Sequence, residues 1–451
     1  MTVRITPVSV AAPNPTPVEI ILPPDKSILH RILFIGSLTQ SAITIPIPGV
    51  EAISQDVIAT VLALESLGVP VELFEDRIEL QGVGRHGYRM PTHVINCANS
   101  GTTARFLMGL LAGQQFNSAL TGDASLSARP MLRLVEVLEN FGATLVTTPE
   151  GTLPVMIQGK PFLLGARIDL AIASAQMKSA VLLAGLYAAH DTVLTEPSQS
   201  RDHTERMLAA FGFEIDIDEE ISLNPDTAPD IEDEFEYAVP GDTSSAAFLI
   251  VAAILLRRRI TLLGVGLNPT RTRFLDVLAI MGVEMEALNV IDRHGEPRGD
   301  LTIFGDRISE PLTPFSLEEE DIPLLIDELP VLFILGIFAD GESEVTGASE
   351  LRKKESDRIG KSAEQLRRFG VDVMELDDGI RIVGVPRRTL NACSIDHNGD
   401  HRLAMSFTIA SLFCNDDVTI DEAEAVAVSY PNFYEHLRSL CGPDHLEILL
   451  A

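Results

Sequence analysis

Six times along this chain an amphipathic helical phrase ends in glycine and gives way to a short alternating apolar stretch. The copies read VLALESLGVPVEL, VLENFGATLV, MLAAFGFEIDI, VLAIMGVEMEA and QLRRFGVDVMEL, with a worn sixth, HLRSLCGPDHLEIL. Their glycines are Gly68, Gly142, Gly212, Gly282, Gly370 and Gly442, at intervals of 70 to 88 residues. Glycine takes the left-handed backbone that stops a helix, after which the chain can enter a strand. A period near 70 is too long for a solenoid repeat and suits a small α/β module with strands on both sides of its helices. Six such modules in 451 residues divide into two domains of three. An acidic, proline-bearing stretch between Asp216 and Asp242 separates the third copy from the fourth. The first long strand, VEIILPPDKS, ends at Pro23-Pro24. The expected division is therefore 1–24 plus 243–451 against 25–242, with a double hinge near 24 and 242.

Charge narrows the function. Lys and Arg number 34 against 65 Asp and Glu, a formal net charge of −31. A duplex nucleic-acid or anionic-membrane partner would need a basic face, so neither is expected. No apolar run is long enough to span a bilayer, and the N-terminus lacks a signal or transit pattern. Four cysteines without CxxC spacing (Cys97, Cys393, Cys414, Cys441) fit a reducing compartment. The expectation is a cytoplasmic protein.

Against this acidic background, several helices open with small polar residues and carry a cation nearby. Asp25-Lys26-Ser27 is followed by Arg31, and Asn99-Ser100-Gly101-Thr102 by Arg105. Ser174-Ala175-Gln176 opens a third helix and Asp242-Thr243-Ser244-Ser245 a fourth. A helix N-terminus offers unpaired N–H groups and partial positive charge, hence an anion site. Taken singly, each also reads as plain N-capping. The densest cluster is Leu351–Arg358, where Lys354 and Arg358 are i,i+4 neighbours with Glu355 beside them, either an anion clamp or a surface ion-pair ladder. Asp400-His401-Arg402 precedes another apolar helix. Asp327-Glu328 stands in LLIDELPVLFIL, either as a buried acid–base pair or as a helix N-terminal pair. Other signals fail in context. Gly82–Gly87 matches GxGxxG with no helix after it, Gly360-Lys361-Ser362 lacks the P-loop's first glycine, and His397 and His401 lack a metalloprotease glutamate.

Taken in order, PPDKSILHR, NSGTTARFL, GDASLSARPM, SAQMKSAVLLAGL, RDHTE, VPGDTSSAAF, IDELP, LRKKESDR and GDHRLAM resemble the 3-phosphoshikimate 1-carboxyvinyltransferase (EPSP synthase) family across essentially the whole chain, most closely its bacterial class II branch. The resemblance implies the two-domain inverted α/β barrel of enolpyruvyl transferases, with six βαβαββ-type repeats, three per domain, and substrates held in the cleft between domains. It implies transfer of the enolpyruvyl group of phosphoenolpyruvate to the 5-hydroxyl of shikimate 3-phosphate, with release of phosphate. No cofactor and no metal are implied, and a monomer is expected.

By motif, Lys26, Ser27, Arg31, Ser174, Ala175, Gln176, Arg201, Asp327 and Lys354 would contact shikimate 3-phosphate. Lys26, Asn99, Gly101, Arg129, Gln176, Arg358 and Arg402 would contact phosphoenolpyruvate. Asp327 would be the base on the 5-hydroxyl and Glu355 the proton donor to C3, with Lys26 a possible partner. The chain departs from class I in having Ala175 for a second serine, Phe106 for a proline, and Val428-Ser429-Tyr430-Pro431 where a lysine precedes Phe-Pro. A related family, UDP-N-acetylglucosamine 1-carboxyvinyltransferase, has a loop cysteine where this chain has Ala124. A non-catalytic anion-binding paralogue would be expected to lose one of these charged residues, and none is lost.

Overall fold

A computed structural model describes residues 1–8, 14–308 and 311–449. The chain divides into two compact units. One comprises Met1–Pro23, Pro240–Ile291 and Pro297–Ala451, the other Pro24–Val239 and Asp292–Glu296. The short excursion Asp292–Glu296, which the sequence reading did not anticipate, is the tip of a hairpin formed by strands Met285–Arg293 and Glu296–Phe304. Its turn places His294 and Gly295 at φ of 57° and 79°, the geometry of a two-residue hairpin loop. The His294 ring stacks on Tyr237 of the same unit with centroids 5.1 Å apart.

Among the described residues each unit contains three sheets. Five of the six share one plan, in which an edge strand runs parallel to the next and two antiparallel strands follow. In the second sheet of the Pro24–Val239 unit, Ile95–Asn96 runs parallel to Ser118–Thr121, which pairs with Val155–Gln158 and then Thr144–Val146. The last sheet differs in where its central strand comes from. That return strand is supplied by the N-terminal Thr2–Ile5, which lies between Val418–Ile420 and Leu446–Leu449 with Val3 opposite both Ile420 and Ile448.

Two kinds of helix account for the burial. Six stand beside the repeat glycines, and all six glycines lie at positive φ, from 75° to 98°. These helices carry one apolar stripe each, as in Arg358–Arg368, where Ile359, Ala363 and Leu366 turn inward. Six further helices are apolar nearly all round, the signature of a helix enclosed on every side. Every residue of His401–Ser411 and of Leu329–Gly336 is buried, as is all of Thr243–Leu255 except its last residue. In the other unit, Gly101–Ala112 and Ala175–Gly185 pack backbone to backbone. A Cβ on Gly109 would lie 2.1 Å from the Ala180 carbonyl oxygen.

Candidate active site

The inner helices of the Pro24–Val239 unit are buried except at particular positions. In Lys26–Ser37 those are Lys26 and Ser27, in Gly101–Ala112 Thr102 and Arg105, and in Ala175–Gly185 Ala175 and Gln176. All six lie in or next to the first helical turn. The caps are local: Asp25 accepts from the Ile28 amide, Ser100 from Thr103 and Ser174 from Met177.

Long-range contacts then fix the side chains. Lys26 Nζ lies 2.7 Å from Asp56 Oδ2. Arg31 is buried, donating from Nε to Thr204 Oγ1 (2.7 Å), from Nη2 to Ser179 Oγ (2.9 Å) and from Nη1 to the Ser27 carbonyl (2.8 Å). Burial pulls its pKa down to about 10, with Glu205 opposing and neighbouring Arg201 adding to the fall, so it stays cationic at neutral pH. Arg201 itself is half-buried just before helix His203–Ala210.

Gln176 is held at both ends of its amide: Oε1 accepts from Arg105 Nη1 at 2.8 Å and Nε2 donates to Thr102 Oγ1 at 3.0 Å. Arg129 donates from Nη2 to Asn99 Oδ1 at 2.7 Å, and the Asn99 amide donates to Asp123. Gly101 sits among these cations. A Cβ there would lie 2.6 Å from Arg105 Nη1 and 3.3 Å from Arg129 Nη1. The structure thus brings Asn99, Gly101, Arg129 and Gln176 together, with Ser27 and Arg31 in a second group beside Ser179 and Thr204.

In the other unit the Leu351–Arg358 cluster divides: Arg352 and Lys353 make surface ion pairs with Asp357, Glu375 and Glu350, while Arg358 turns inward. Arg358 is 1% exposed and its charge is met from three sides. Nε donates to Asp400 Oδ2 at 2.8 Å, Nη2 donates to Glu355 Oε2 at 2.5 Å, and Nη1 lies 3.7 Å from Asp327 Oδ1. Burial disfavours the guanidinium's charge, but Asp400, Glu355 and Asp327 outweigh it and its pKa rises. Asp400 likewise loses hydration yet is held below the usual carboxylate range by Arg358. Asp400 also caps helix His401–Ser411 through the Arg402 amide. Arg402 reaches back, donating from Nη1 to the Asp327 carbonyl at 2.9 Å, with Nη2 3.4 Å from Oδ2. Lys354 Nζ lies 3.9 Å from Asp327 Oδ1. One carboxylate, Asp327, is therefore ringed by Lys354, Arg358 and Arg402.

The two acids of Ile-Asp-Glu-Leu separate. Asp327 joins this ring. Glu328 is fully buried and accepts from Ser244 Oγ, which itself accepts from Arg271 Nη2 at 2.8 Å. His397 directs Nε2 to the Asp421 carbonyl at 2.8 Å. In the Val428–Pro431 segment, Tyr430 is buried with its hydroxyl on His436.

Asp56 and Arg271 have no role in the sequence pattern, whereas Thr102, Arg105 and Glu328 stand out only as members of helix-start motifs. For Asp56 and Thr102 the available signal is a polar side chain in the first turn of a largely apolar helix.

Residues 10–437 match the family model described as EPSP synthase (3-phosphoshikimate 1-carboxyvinyltransferase). The 3-phosphoshikimate 1-carboxyvinyltransferase of Parasynechococcus marenigrum is 43% identical over 427 residues, covering 93% of this chain and 94% of the relative. That of Limosilactobacillus fermentum is 43% identical over 428 residues, covering 94% and 96%. Among solved structures, EPSP synthase from Acinetobacter baumannii superposes with a TM-score of 0.83 at 38% identity, covering 99% of each chain. The enolpyruvyl transferase NikO from Streptomyces tendae gives a TM-score of 0.73 at 18% identity over 97% of each chain, a likeness of fold alone.

Proposed function

The chain belongs to the EPSP synthase family of 3-phosphoshikimate 1-carboxyvinyltransferases, and from that premise we propose which of its residues carry the reaction. The enzyme transfers the enolpyruvyl group of phosphoenolpyruvate to the 5-hydroxyl of shikimate 3-phosphate, giving 5-enolpyruvylshikimate 3-phosphate and phosphate, a step of aromatic biosynthesis. The hydroxyl oxygen bonds to C2 of phosphoenolpyruvate while C3 gains a proton. The resulting tetrahedral ketal then loses a C3 proton and expels phosphate.

The observation that carries the assignment is the gathering of two carboxylates, Asp327 and Glu355, on the single buried guanidinium of Arg358. Addition needs a base at the 5-hydroxyl and an acid at C3, and elimination needs a base at C3 while phosphate leaves from C2. Asp327, held among Lys354, Arg358 and Arg402, takes the hydroxyl proton. Glu355 gives the proton to C3 and later recovers one, with Lys26 as a partner. Lys26, Asn99, Gly101, Arg129, Gln176, Arg358 and Arg402 hold phosphoenolpyruvate. Lys26, Ser27, Arg31, Ser174, Ala175, Gln176, Arg201, Asp327 and Lys354 hold shikimate 3-phosphate. These cations supply the charge stabilisation the two phosphates and carboxylates need.

The test is phosphate release with phosphoenolpyruvate and shikimate 3-phosphate, beside a reaction offering UDP-N-acetylglucosamine. Release only with the shikimate acceptor is expected. Glu355→Gln should lower kcat at least about 100-fold while substrate binding changes little. A near-normal kcat would remove Glu355 from the acid–base role. We further take the protein to act as a cytoplasmic monomer. Among the described residues no helix is long and apolar enough to cross a membrane, and sedimentation would settle the monomer.

A further inference from the structure

His30 lies one turn after Lys26 in the helix Lys26–Ser37, fully buried, and none of the assigned roles uses it. Its Nδ1 lies 2.7 Å from Thr60 Oγ1, which lies 2.7 Å from Thr103 Oγ1, which donates to Ser100 Oγ at 2.7 Å. Each of these four side chains is fully buried. The chain joins three helices: Lys26–Ser37, Gln55–Ser66 and Gly101–Ala112. Its far end, Ser100, is the cap that also accepts the Thr103 amide and sets the backbone entering Gly101.

The direction of the protons follows from counting. Thr103 spends its one hydroxyl proton on Ser100, so Thr60 must donate to Thr103. Thr60 then has no proton left for His30 and must accept one, which puts the imidazole proton on Nδ1. Nε2 has no hydrogen-bond partner among the described residues. Burial, reinforced by Lys26 and Arg31, holds the ring neutral, far below its ordinary pKa.

We propose that His30 is a positioning residue for the phosphoenolpyruvate end of the site, a fixed Nδ1–H donor whose hydroxyl chain through Thr60 and Thr103 holds Ser100 and the Gly101 helix start in place. The proposal rests on the reading that Gly101 and Arg129 receive phosphoenolpyruvate. It assigns no proton transfer to His30. A strained or shifted cap would move the Gly101 amide and leave Arg31, Ser179 and Thr204 where they are.

The experiment combines two readouts on the full-length protein. Long-range 1H–15N spectra of the wild type, with His30 assigned by its loss in His30→Asn, should show a protonated Nδ1 and a bare Nε2. In kinetics, His30→Leu and Thr60→Val should each raise the KM for phosphoenolpyruvate about tenfold, the effect of one lost buried hydrogen bond. The KM for shikimate 3-phosphate should stay within about twofold. His30→Asn, which keeps an N–H for Thr60, should restore most of the loss. An Nε2–H tautomer would overturn the hydrogen-bond chain. Unchanged or equally raised KM values in folded Thr60→Val would overturn the positioning role. Wild type that binds no phosphoenolpyruvate would fail the underlying site reading instead, and the spectra would still decide the chain.

Discussion

Arg358 donates from Nε to Asp400 Oδ2 at 2.8 Å, and neither side chain reaches solvent. Removing one partner of such a pair costs more than the pair contributes, because the survivor stays buried and charged. Asp400→Asn keeps an oxygen for the Arg402 amide and so isolates the charge. It should lower unfolding stability by about 3 kcal/mol. The pH dependence has a definite sign. Arg358 depresses the Asp400 pKa below its unfolded value, so this stabilisation is complete above that value and is lost as pH falls through the folded pKa. Denaturant melts at several pH values should show wild type and Asp400→Asn converging below about pH 4. A gap that stays constant into acid would contradict the assignment.

Gly101 has a different sensitivity. The atoms a Cβ would meet are the tips of Arg105 and Arg129, not backbone, so both can yield. Gly101→Ala should therefore fold with a melting temperature within about 3 °C of wild type. Displacing the two guanidinium groups should raise the KM for phosphoenolpyruvate at least about fivefold, equivalent to roughly 1 kcal/mol. An unchanged KM would mean that Arg105 and Arg129 adjust without consequence.

Gly109 is the opposite case. Its would-be Cβ lies 2.1 Å from the Ala180 carbonyl oxygen, and a carbonyl inside a helix cannot move alone. Gly109→Ala should destabilise by about 1–3 kcal/mol through overpacking. It should also pull Gln176 away from Thr102 and Arg105, which sit on the opposing helix, so kcat/KM should fall in protein that remains folded. Thermal melts and steady-state kinetics on one preparation would separate these effects. Wild-type stability would show that the two helices can part freely.

What the sequence revealed was whatever is written locally. Positive φ at the six repeat glycines, and Ser100, Ser174, Asp242 and Asp400 as caps, all follow from residue type and spacing, whereas the first helix is capped by Asp25 and not by Ser27, the serine its pattern suggests. The sixth repeat looks worn because the turn Pro443–His445 stands between Gly442 and its strand, and its return strand, Thr2–Ile5, comes from far away in the sequence, which no local pattern records. Likewise Lys178, part of the SAQMKSA phrase, is a buried partner of Glu205 and Glu196, at 2.7 and 2.8 Å. Only tertiary packing decides which lysine near a helix start faces a ligand and which faces a carboxylate. The parting of Asp327 from Glu328 had the same cause, since adjacent positions at a helix entry differ by about 100° in direction.

That parting can be tested. Arg271 is 2% exposed, lies 3.7 Å from Asp242 and donates to Ser244 Oγ, whose own proton goes to the buried Glu328. Asp242 caps Thr243–Leu255, and Glu328 precedes Leu329–Gly336, so the network joins two inner helix starts beside Asp327. Arg271→Met should cost about 3–5 kcal/mol by leaving buried carboxylates uncompensated. Glu328→Gln should cost less, since the amide oxygen can still accept from Ser244. Because both changes act on the Ser244 hydroxyl, their costs should not add: the double variant should recover at least about 1 kcal/mol relative to the sum. Additive losses in a denaturant-based double-mutant cycle would show that Glu328 and Arg271 are independent, and that Asp327 owes its direction to Lys354, Arg358 and Arg402 alone.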